Sequence, residues 1–176
     1  MSAPYRADMI AHNLKRPRMA NSTQYDVDGV MMDVHASSKK QLFQIMAEKL
    51  VTGARFTELG LTCRDIVNAT MERERLGSTG VGSGVALPHA RIDGLDRVYT
   101  VFARLEDPMD YEAVDDVPVD LVVFLVAPSD SGGAHLRALA QFSRRLRRED
   151  TRERLRAAPD DKSLLITITQ SAQRAA

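Results

Sequence analysis

The feature that most constrains the fold is the near-continuous apolar run from Val117 to Ala127, which reads VPVDLVVFLVA. A strand with one solvent-facing side alternates apolar and polar residues, whereas this segment is uniformly apolar after Asp120. Such a run is typical of a central strand buried on both faces. A second strand is predicted from Val98 to Leu105, which is rich in β-branched and aromatic residues, and Asp107-Pro108 is predicted to break it.

Helix-start signals precede several segments with helical spacing. Ser38 has a glutamine three residues later, as in a capping box, and Thr62 precedes a segment that should end at Gly77. A further helix is predicted from about Ala134 to Arg148, and Asp160-Asp161 favours a helix over a strand for the last segment. The buried stripe of the helix that begins near Ala134 is predicted to comprise Leu136, Leu139, Ala140, Ser143 and Leu146.

Length and composition are those of one globular domain: 176 residues, of which 44% are hydrophobic and 27% charged. We expect a flexible tail over residues 1–26, where no periodicity is evident, and a single domain over residues 27–176. Translation from Met31 or Met32 is an alternative. Neither a secretory segment nor an apolar run near the ~20 residues of a membrane helix is evident, so a cytoplasmic protein without membrane insertion is expected.

Two further counts exclude classes of site. Cys63 is the single cysteine, which excludes an intrachain disulfide and any site built from several cysteines. The formal net charge is zero, and the arginine-rich segment from Arg144 to Arg156 is interrupted by acidic residues and lacks interleaved aromatic residues. No nucleic-acid partner is therefore predicted.

The segment from Gly77 to Arg91, GSTGVGSGVALPHAR, has the composition of an anion-binding loop. Its glycines allow close approach of the backbone to a ligand, and successive backbone N–H groups can surround an anion. Pro88 restricts the chain on both sides of itself, so the side chain of His89 should be held in place. These residues predict a nucleophilic histidine beside a phosphate-sized anion.

Two other elements point to the same chemistry. The helix that feeds the loop ends in Glu72-Arg73-Glu74-Arg75, so Arg73 or Arg75 could make a forked contact to phosphate. His135 lies in the first turn of a later helix, where free N–H groups favour anions. A neutral imidazole that attacks a phosphoryl group forms a phosphohistidine.

Other assignments fit the residues less well. Ser83 stands where a P-loop has lysine, and Val85 occupies the third glycine position of a dinucleotide-binding loop. A metal site formed by His89 and His135 lacks a third ligand unless Asp130 or Asp93 supplies it. The residues by themselves support an anion-handling α/β domain with a poised histidine.

A resemblance to a known family indicates which reaction such a site would carry out. The run RERLGSTGVGSGVALPHAR, the strand VPVDLVVFLVAP and the helix AHLRALAQFSRRLRR resemble enzyme IIA of the bacterial phosphotransferase system, fructose/mannitol class, and above all its nitrogen-regulatory member. The resemblance covers roughly residues 30–172. It implies an α/β fold in which a mixed five-stranded sheet is flanked by helices on both faces of a single domain.

The resemblance also implies roles for individual residues. His89 would accept a phosphoryl group from an HPr-type (NPr-type) phosphocarrier, with the tele-phosphohistidine expected, although the sequence does not distinguish the ring nitrogens. His135 would support the site and Arg73 would hold the phosphate. Ser78 and Thr79 would lie in the phosphate-binding loop, and neither a cofactor nor a metal is implied. Ala90 departs from the family, which usually has glycine after the histidine.

Two functions from different classes follow. The first is a regulatory phosphoprotein of the nitrogen phosphotransferase system, whose phosphorylation state changes its binding to targets such as kinases, transporters or stress-response enzymes. The alternative is a sugar-specific enzyme IIA that passes phosphate to a separate IIB protein. A small-anion binding module without catalysis is a third hypothesis.

Overall fold

The computed structural model describes residues 26–170, which form six strands and six helices. The strands are β1 (Gly29–Val34), β2 (Gly80–Gly82), β3 (Val85–Ala86), β4 (His89–Ile92), β5 (Tyr99–Met109) and β6 (Val119–Pro128). The helices are α1 (Lys39–Val51), α2 (Ala54–Glu58), α3 (Cys63–Arg75), α4 (Ala134–Leu146), α5 (Glu149–Arg156) and α6 (Asp161–Thr169). The predicted tail, apart from Asp26, lies outside the described residues, as do residues 171–176.

Strand β6 is the centre of the sheet, as its apolar sequence predicts. It pairs with β5 in antiparallel orientation on one side and with β3 and β4 in parallel on the other. Alternate side chains of a strand point to opposite faces. Val122, Phe124 and Val126 accordingly enter one core, and Leu121, Val123 and Leu125 enter a second core on the opposite face.

The sheet is mixed and has five strand positions in the order β1-β5-β6-β3-β2, with β4 also on β6. Strands β3 and β4 occupy the same position beside β6, one after the other, because β3 pairs from Leu121 and β4 from Leu125 of that strand. Pro88 separates them; it has no N–H to donate, but its carbonyl accepts from the Leu125 N–H at 3.0 Å. The five predicted positions are therefore confirmed, one of them as two short strands.

Helices cover both faces of the sheet. Helices α1, α2 and α3 pack on the first core through residues such as Phe43, Phe56 and Ile66. Helices α4, α5 and α6 pack on the second core through residues such as Phe142 and Leu155. This arrangement confirms the predicted α/β class. No helix within residues 26–170 combines the length and apolar character needed to cross a membrane.

The predicted helix starts are confirmed in detail. Ser38 caps α1 by accepting from the Gln41 N–H, although the Gln41 side chain reaches back to Ser37 instead of Ser38. Thr62 and Asp65 form a reciprocal capping box at the start of α3. Asp160 caps α6, so the last segment is a helix despite its β-branched residues.

Two local predictions are wrong. Strand β5 continues through Asp107-Pro108 to Met109, because the six residues of β5 from Arg104 to Met109 lie opposite only three of β6 and the excess bulges out. In α4, Leu136 is 59% exposed. Of the predicted stripe, Leu146 is buried, whereas Leu139, Ala140 and Ser143 are half-buried; the other buried residues of this helix are His135, Ala138 and Phe142.

Candidate functional site

His89 is the first residue of β4, directly after Pro88, and its backbone position is set by pairing with Leu125 of the central strand. Its ring is half-buried and is held at both nitrogens. Nδ1 lies 2.9 Å from the carbonyl oxygen of Leu87, and Nε2 lies 3.1 Å from Nε of Arg73. A guanidinium only donates, so Nε2 carries the lone pair and Nδ1–H donates to Leu87.

Arg73 reaches His89 from the last turn of α3. Its Nη1 also donates to the carbonyl oxygen of Gly77 at 3.1 Å, which ties the side chain to the start of the glycine-rich loop. Of the two arginines that the sequence left open, Arg73 is the one that contacts the histidine, whereas Arg75 is exposed. The end of α3 therefore delivers one positive charge to Nε2 of the candidate nucleophile.

His135 is the second residue of α4 and is buried, with 7% of its surface exposed. Its Nε2 lies 2.7 Å from Nη2 of Arg91, and its Nδ1 lies 3.4 Å from Oγ of Ser131. The helix begins after Gly133, which adopts the left-handed conformation and provides no side-chain cap. His135 therefore lies at an open helix start, as predicted, and it faces an arginine that the sequence did not single out.

The hydroxyl groups of Ser78 and Thr79 are already engaged within the protein. Oγ of Ser78 donates to the carbonyl oxygen of Tyr111 at 2.9 Å and accepts from the Gly80 N–H. Oγ1 of Thr79 donates to the buried carboxylate of Glu74 at 2.6 Å, and the Thr79 N–H donates to the same carboxylate. These contacts hold the loop against its neighbours.

A cavity of about 300 Å³ opens beside the histidine. Its lining combines an arginine, an imidazole and hydroxyl groups with apolar side chains: Arg73, Ser78, Thr79, Val81, Leu87, His89, Leu139, Ala140 and Ser143. The structure therefore brings four of the five predicted site residues to one cavity. The fifth, His135 of α4, does not line this cavity and contacts Arg91 of β4 instead.

The environment favours the neutral form of both imidazoles. Burial is the largest cause that lowers the pKa of His89, and the Arg73 charge adds to it, while the hydrogen bond to Leu87 opposes it. Burial also lowers the pKa of His135, with further contributions from the charges of Arg91 and His89. A neutral imidazole has the free electron pair that a nucleophile needs.

The alternative of a metal site has no support from the geometry. Within the part of the chain that the structure describes, no three histidine, cysteine, aspartate or glutamate side chains come close enough to hold an ion. The third ligand that His89 and His135 would need, from Asp93 or Asp130, is therefore not assembled there.

Sequence reasoning missed Arg91 and Glu74 as residues of the site. Arg91 follows His89 at the strand spacing of two, a signal that the sequence contains once β4 is recognised. Glu74 has no comparable signal, because its contact with Thr79 depends on how the loop folds back on α3. Ala90, which stands at the family's usual glycine position, is a buried strand residue paired with Val126 and has no positive φ.

Comparison with known proteins places this geometry in a family. Residues 24–171 match the family model described as "Phosphoenolpyruvate-dependent sugar phosphotransferase system, EIIA 2". A "Nitrogen regulatory protein" of Bradyrhizobium diazoefficiens is 39% identical over 137 residues, which is 78% of this chain and 86% of that protein. A protein of the same description from Escherichia coli K12 is 36% identical over 139 residues, or 78% of this chain and 82% of the relative.

Solved structures agree with these matches. The crystal structure of the nitrogen regulatory protein IIA-Ntr from Neisseria meningitidis superposes with a TM-score of 0.72 at 30% sequence identity, covering 80% of this chain and 92% of that one. The mannitol IIA protein of Escherichia coli superposes with a TM-score of 0.63 at 23% identity and shares the fold.

Proposed function

The chain belongs to the EIIA type-2 family of the phosphoenolpyruvate-dependent sugar phosphotransferase system, in its nitrogen-regulatory type, and on that premise we propose that it is a phosphohistidine-carrying regulator. In this proposal it accepts a phosphoryl group from an HPr-type phosphocarrier onto His89. Its phosphorylation state then determines which target proteins it binds.

The observation that carries the proposal is the pair of hydrogen bonds to the His89 ring. The Leu87 carbonyl holds the proton on Nδ1, so the lone pair is on Nε2, beside the Arg73 guanidinium and the cavity. The phosphoryl group is therefore attached to Nε2, which makes the product the tele-phosphohistidine. Arg73 stabilises the charge that develops on the phosphoryl oxygens, as is general for phosphoryl transfer.

The proposed transfer forms one N–P bond and breaks another, and the number of protons on His89 does not change. The Nε2 lone pair forms the new N–P bond while the N–P bond of the carrier's phosphohistidine breaks. The electron pair of the broken bond remains on the carrier imidazole, which leaves as a neutral ring if its other nitrogen is protonated. His89 keeps its Nδ1 proton throughout, and the Leu87 carbonyl stabilises the positive charge that the phosphorylated ring acquires.

The other predicted residues have supporting roles in this proposal. His135 lies at the open start of α4 and supports the phosphoryl oxygens. Ser78 and Thr79 form the wall of the cavity and keep it rigid through their contacts with Tyr111 and Glu74. Phosphorylation adds up to about two negative charges to this recess, which is sufficient to change partner choice.

Labelling with phosphoenolpyruvate, enzyme I and an HPr-type carrier tests the proposal. The protein should acquire an acid-labile, base-stable phosphate that is absent from His89→Ala. His135→Ala should still be labelled but exchange phosphate slowly. Full labelling of His89→Ala would overturn the assignment of the nucleophile.

A second assay separates regulation from transport. The phosphorylated protein is mixed with sugar-specific IIB proteins, and loss of label is followed over time. A regulator should retain its phosphate in the presence of these IIB proteins for as long as it takes to exchange phosphate with the carrier. Rapid transfer to a fructose- or mannitol-specific IIB would replace the regulatory proposal with the sugar-transport alternative.

A further inference from the structure

Arg91 is placed to act on the same anion as Arg73. Side chains two residues apart on a strand point to the same face, so His89 and Arg91 project together from β4. The residue is largely exposed, yet its Nη2 lies 2.7 Å from Nε2 of the buried His135. Each of the two histidines therefore has its Nε2 covered by one arginine.

The contact between Arg91 and His135 defines the resting protonation state. Arginine has only donors, so Nε2 of His135 must accept. In the neutral ring the proton is then on Nδ1, 3.4 Å from Oγ of Ser131. In this state His135 has no proton on Nε2, the nitrogen that Arg91 covers, and cannot donate from it to a phosphoryl oxygen.

The positive charges of Arg73 and Arg91 are not neutralised locally. Among residues 26–170, neither arginine has a carboxylate within salt-bridge distance. Each donates to a neutral imidazole, which is a weaker partner than a phosphate oxygen. A guanidinium can also make two parallel hydrogen bonds to phosphate, which a single ring nitrogen does not allow.

We propose that Arg91 is a second phosphate-binding arginine, which releases His135 and donates to the phosphoryl oxygens once Nε2 of His89 is phosphorylated. This inference rests on the proposed phosphorylation of His89. The Nε2 of His135, once uncovered, takes a proton from solvent and donates to another phosphoryl oxygen. Arg91, His89 and Ser131 face His135; burial and the charges of Arg91 and His89 lower the pKa of its ring, and the negative charge of the phosphoryl group opposes this effect.

The direct test is the second ionisation of the phosphoryl group, followed by ³¹P NMR as a function of pH. An arginine that contacts the phosphoryl oxygens favours the dianion, so Arg91→Gln should raise this phosphoryl pKa and Arg91→Lys should raise it less. Arg64→Gln is the control: it removes one positive charge from the first turn of α3, the end of that helix away from Arg73, and should leave the phosphoryl pKa unchanged. Transfer from saturating carrier should slow by about 10–100-fold in Arg91→Gln, somewhat below the loss for a buried oxyanion donor.

A double variant separates direct contact from an effect through His135. If Arg91 contacts the phosphate, Arg91→Gln should still raise the phosphoryl pKa when introduced into His135→Ala. If Arg91 only orients the His135 ring, the substitution has no effect in that background and the inference is overturned. Failure of the unsubstituted protein to be labelled at His89 would instead overturn the proposed function, so the two outcomes are distinguishable.

Discussion

Nε of Arg73 donates to Nε2 of His89 over 3.1 Å, although the two residues are 16 positions apart and lie on α3 and β4. The bond selects the ring tautomer and places a positive charge at the atom that we propose as the nucleophile. The second bond of the arginine, to the Gly77 carbonyl, fixes the guanidinium relative to the loop. The geometry of the site before phosphorylation is therefore already suited to an anion.

Removal of this guanidinium should slow transfer far more than it affects folding. We expect Arg73→Gln to reduce the initial rate of labelling from saturating carrier by roughly 10²–10³-fold, the usual loss for one donor to a developing oxyanion. Arg73→Lys should recover part of the rate, because it keeps the charge without the forked geometry. Arg75→Gln, on the exposed neighbour, is the matched control; equal losses in the two glutamine variants would contradict the role of Arg73.

The pH dependence of labelling should reflect the buried state of His89. Since burial, above all, lowers the pKa of His89, the neutral nucleophile should persist below the usual histidine value of about 6.5, and labelling should decrease only as the pH falls through the lower value. NMR titration of the His89 ring measures that value directly. A pKa at or above the usual value would contradict the expected burial of the ring.

The same shift has a consequence for stability. Between the lowered pKa of folded His89 and that of an unfolded histidine, about 6.5, the unfolded chain binds more protons. The free energy of unfolding should therefore decrease as the pH falls through this window. Urea unfolding at several pH values should show that the free energy of unfolding decreases less for His89→Gln than for the parent protein as the pH falls.

Gly80 should not tolerate a side chain. A Cβ at this position would lie 2.8 Å from both Cα and Cβ of Ala113, and backbone atoms there cannot move aside easily. We expect Gly80→Ala to lower the free energy of unfolding by about 1–3 kcal/mol, as overpacking usually does. Gly29→Ala is the control, because its Cβ would meet only the flexible side chain of Lys49. Equal urea midpoints for the two variants would contradict this argument.

The sequence predicts the parts of the structure that depend on local patterns. The apolar run of β6 and the capping residues Ser38, Thr62 and Asp160 have signals within a few residues, and the structure confirms the strand and helices that they predict. The buried face of α4 was not predictable in this way. Leu136, Leu139 and Leu146 recur at helical spacing, and so do Ala138, Phe142 and Leu146. Only the packing of the helix against the second core decides which of the two stripes is buried.

Contacts between distant segments are the second kind of information that the sequence does not contain. Arg91 meets His135 only because α4 packs on the second core, on the face of the sheet to which Arg91 points between the first-core residues Ala90 and Ile92. Tyr111 supports Ser78 only because the connection between β5 and β6 folds over the glycine-rich loop. The residue types in the sequence indicated an anion site, but the hydrogen-bond partners of each arginine and hydroxyl group could be identified only from the fold.

The buried carboxylate of Glu74 should stabilise the loop beside the nucleophile. It accepts from the N–H and hydroxyl of Thr79 and forms an ion pair with Lys39 at 3.0 Å. Glu74→Ala leaves those buried donors without their partner, and we expect it to lower the free energy of unfolding by about 3 kcal/mol. Because the Thr79 amide would lose its acceptor, its hydrogen exchange should also become faster.

Two variants test that account of Glu74. Glu72→Ala removes an exposed carboxylate two residues away on the same helix and should change stability by less than about 0.5 kcal/mol. Glu74→Gln keeps an acceptor for Thr79 but removes the charge that pairs with Lys39, so its loss should be intermediate. In a double-mutant cycle with Lys39→Met, the two losses should not add, because the residues share one interaction. Strict additivity, together with unchanged exchange of the Thr79 amide, would mean that Glu74 does not hold the loop through these contacts.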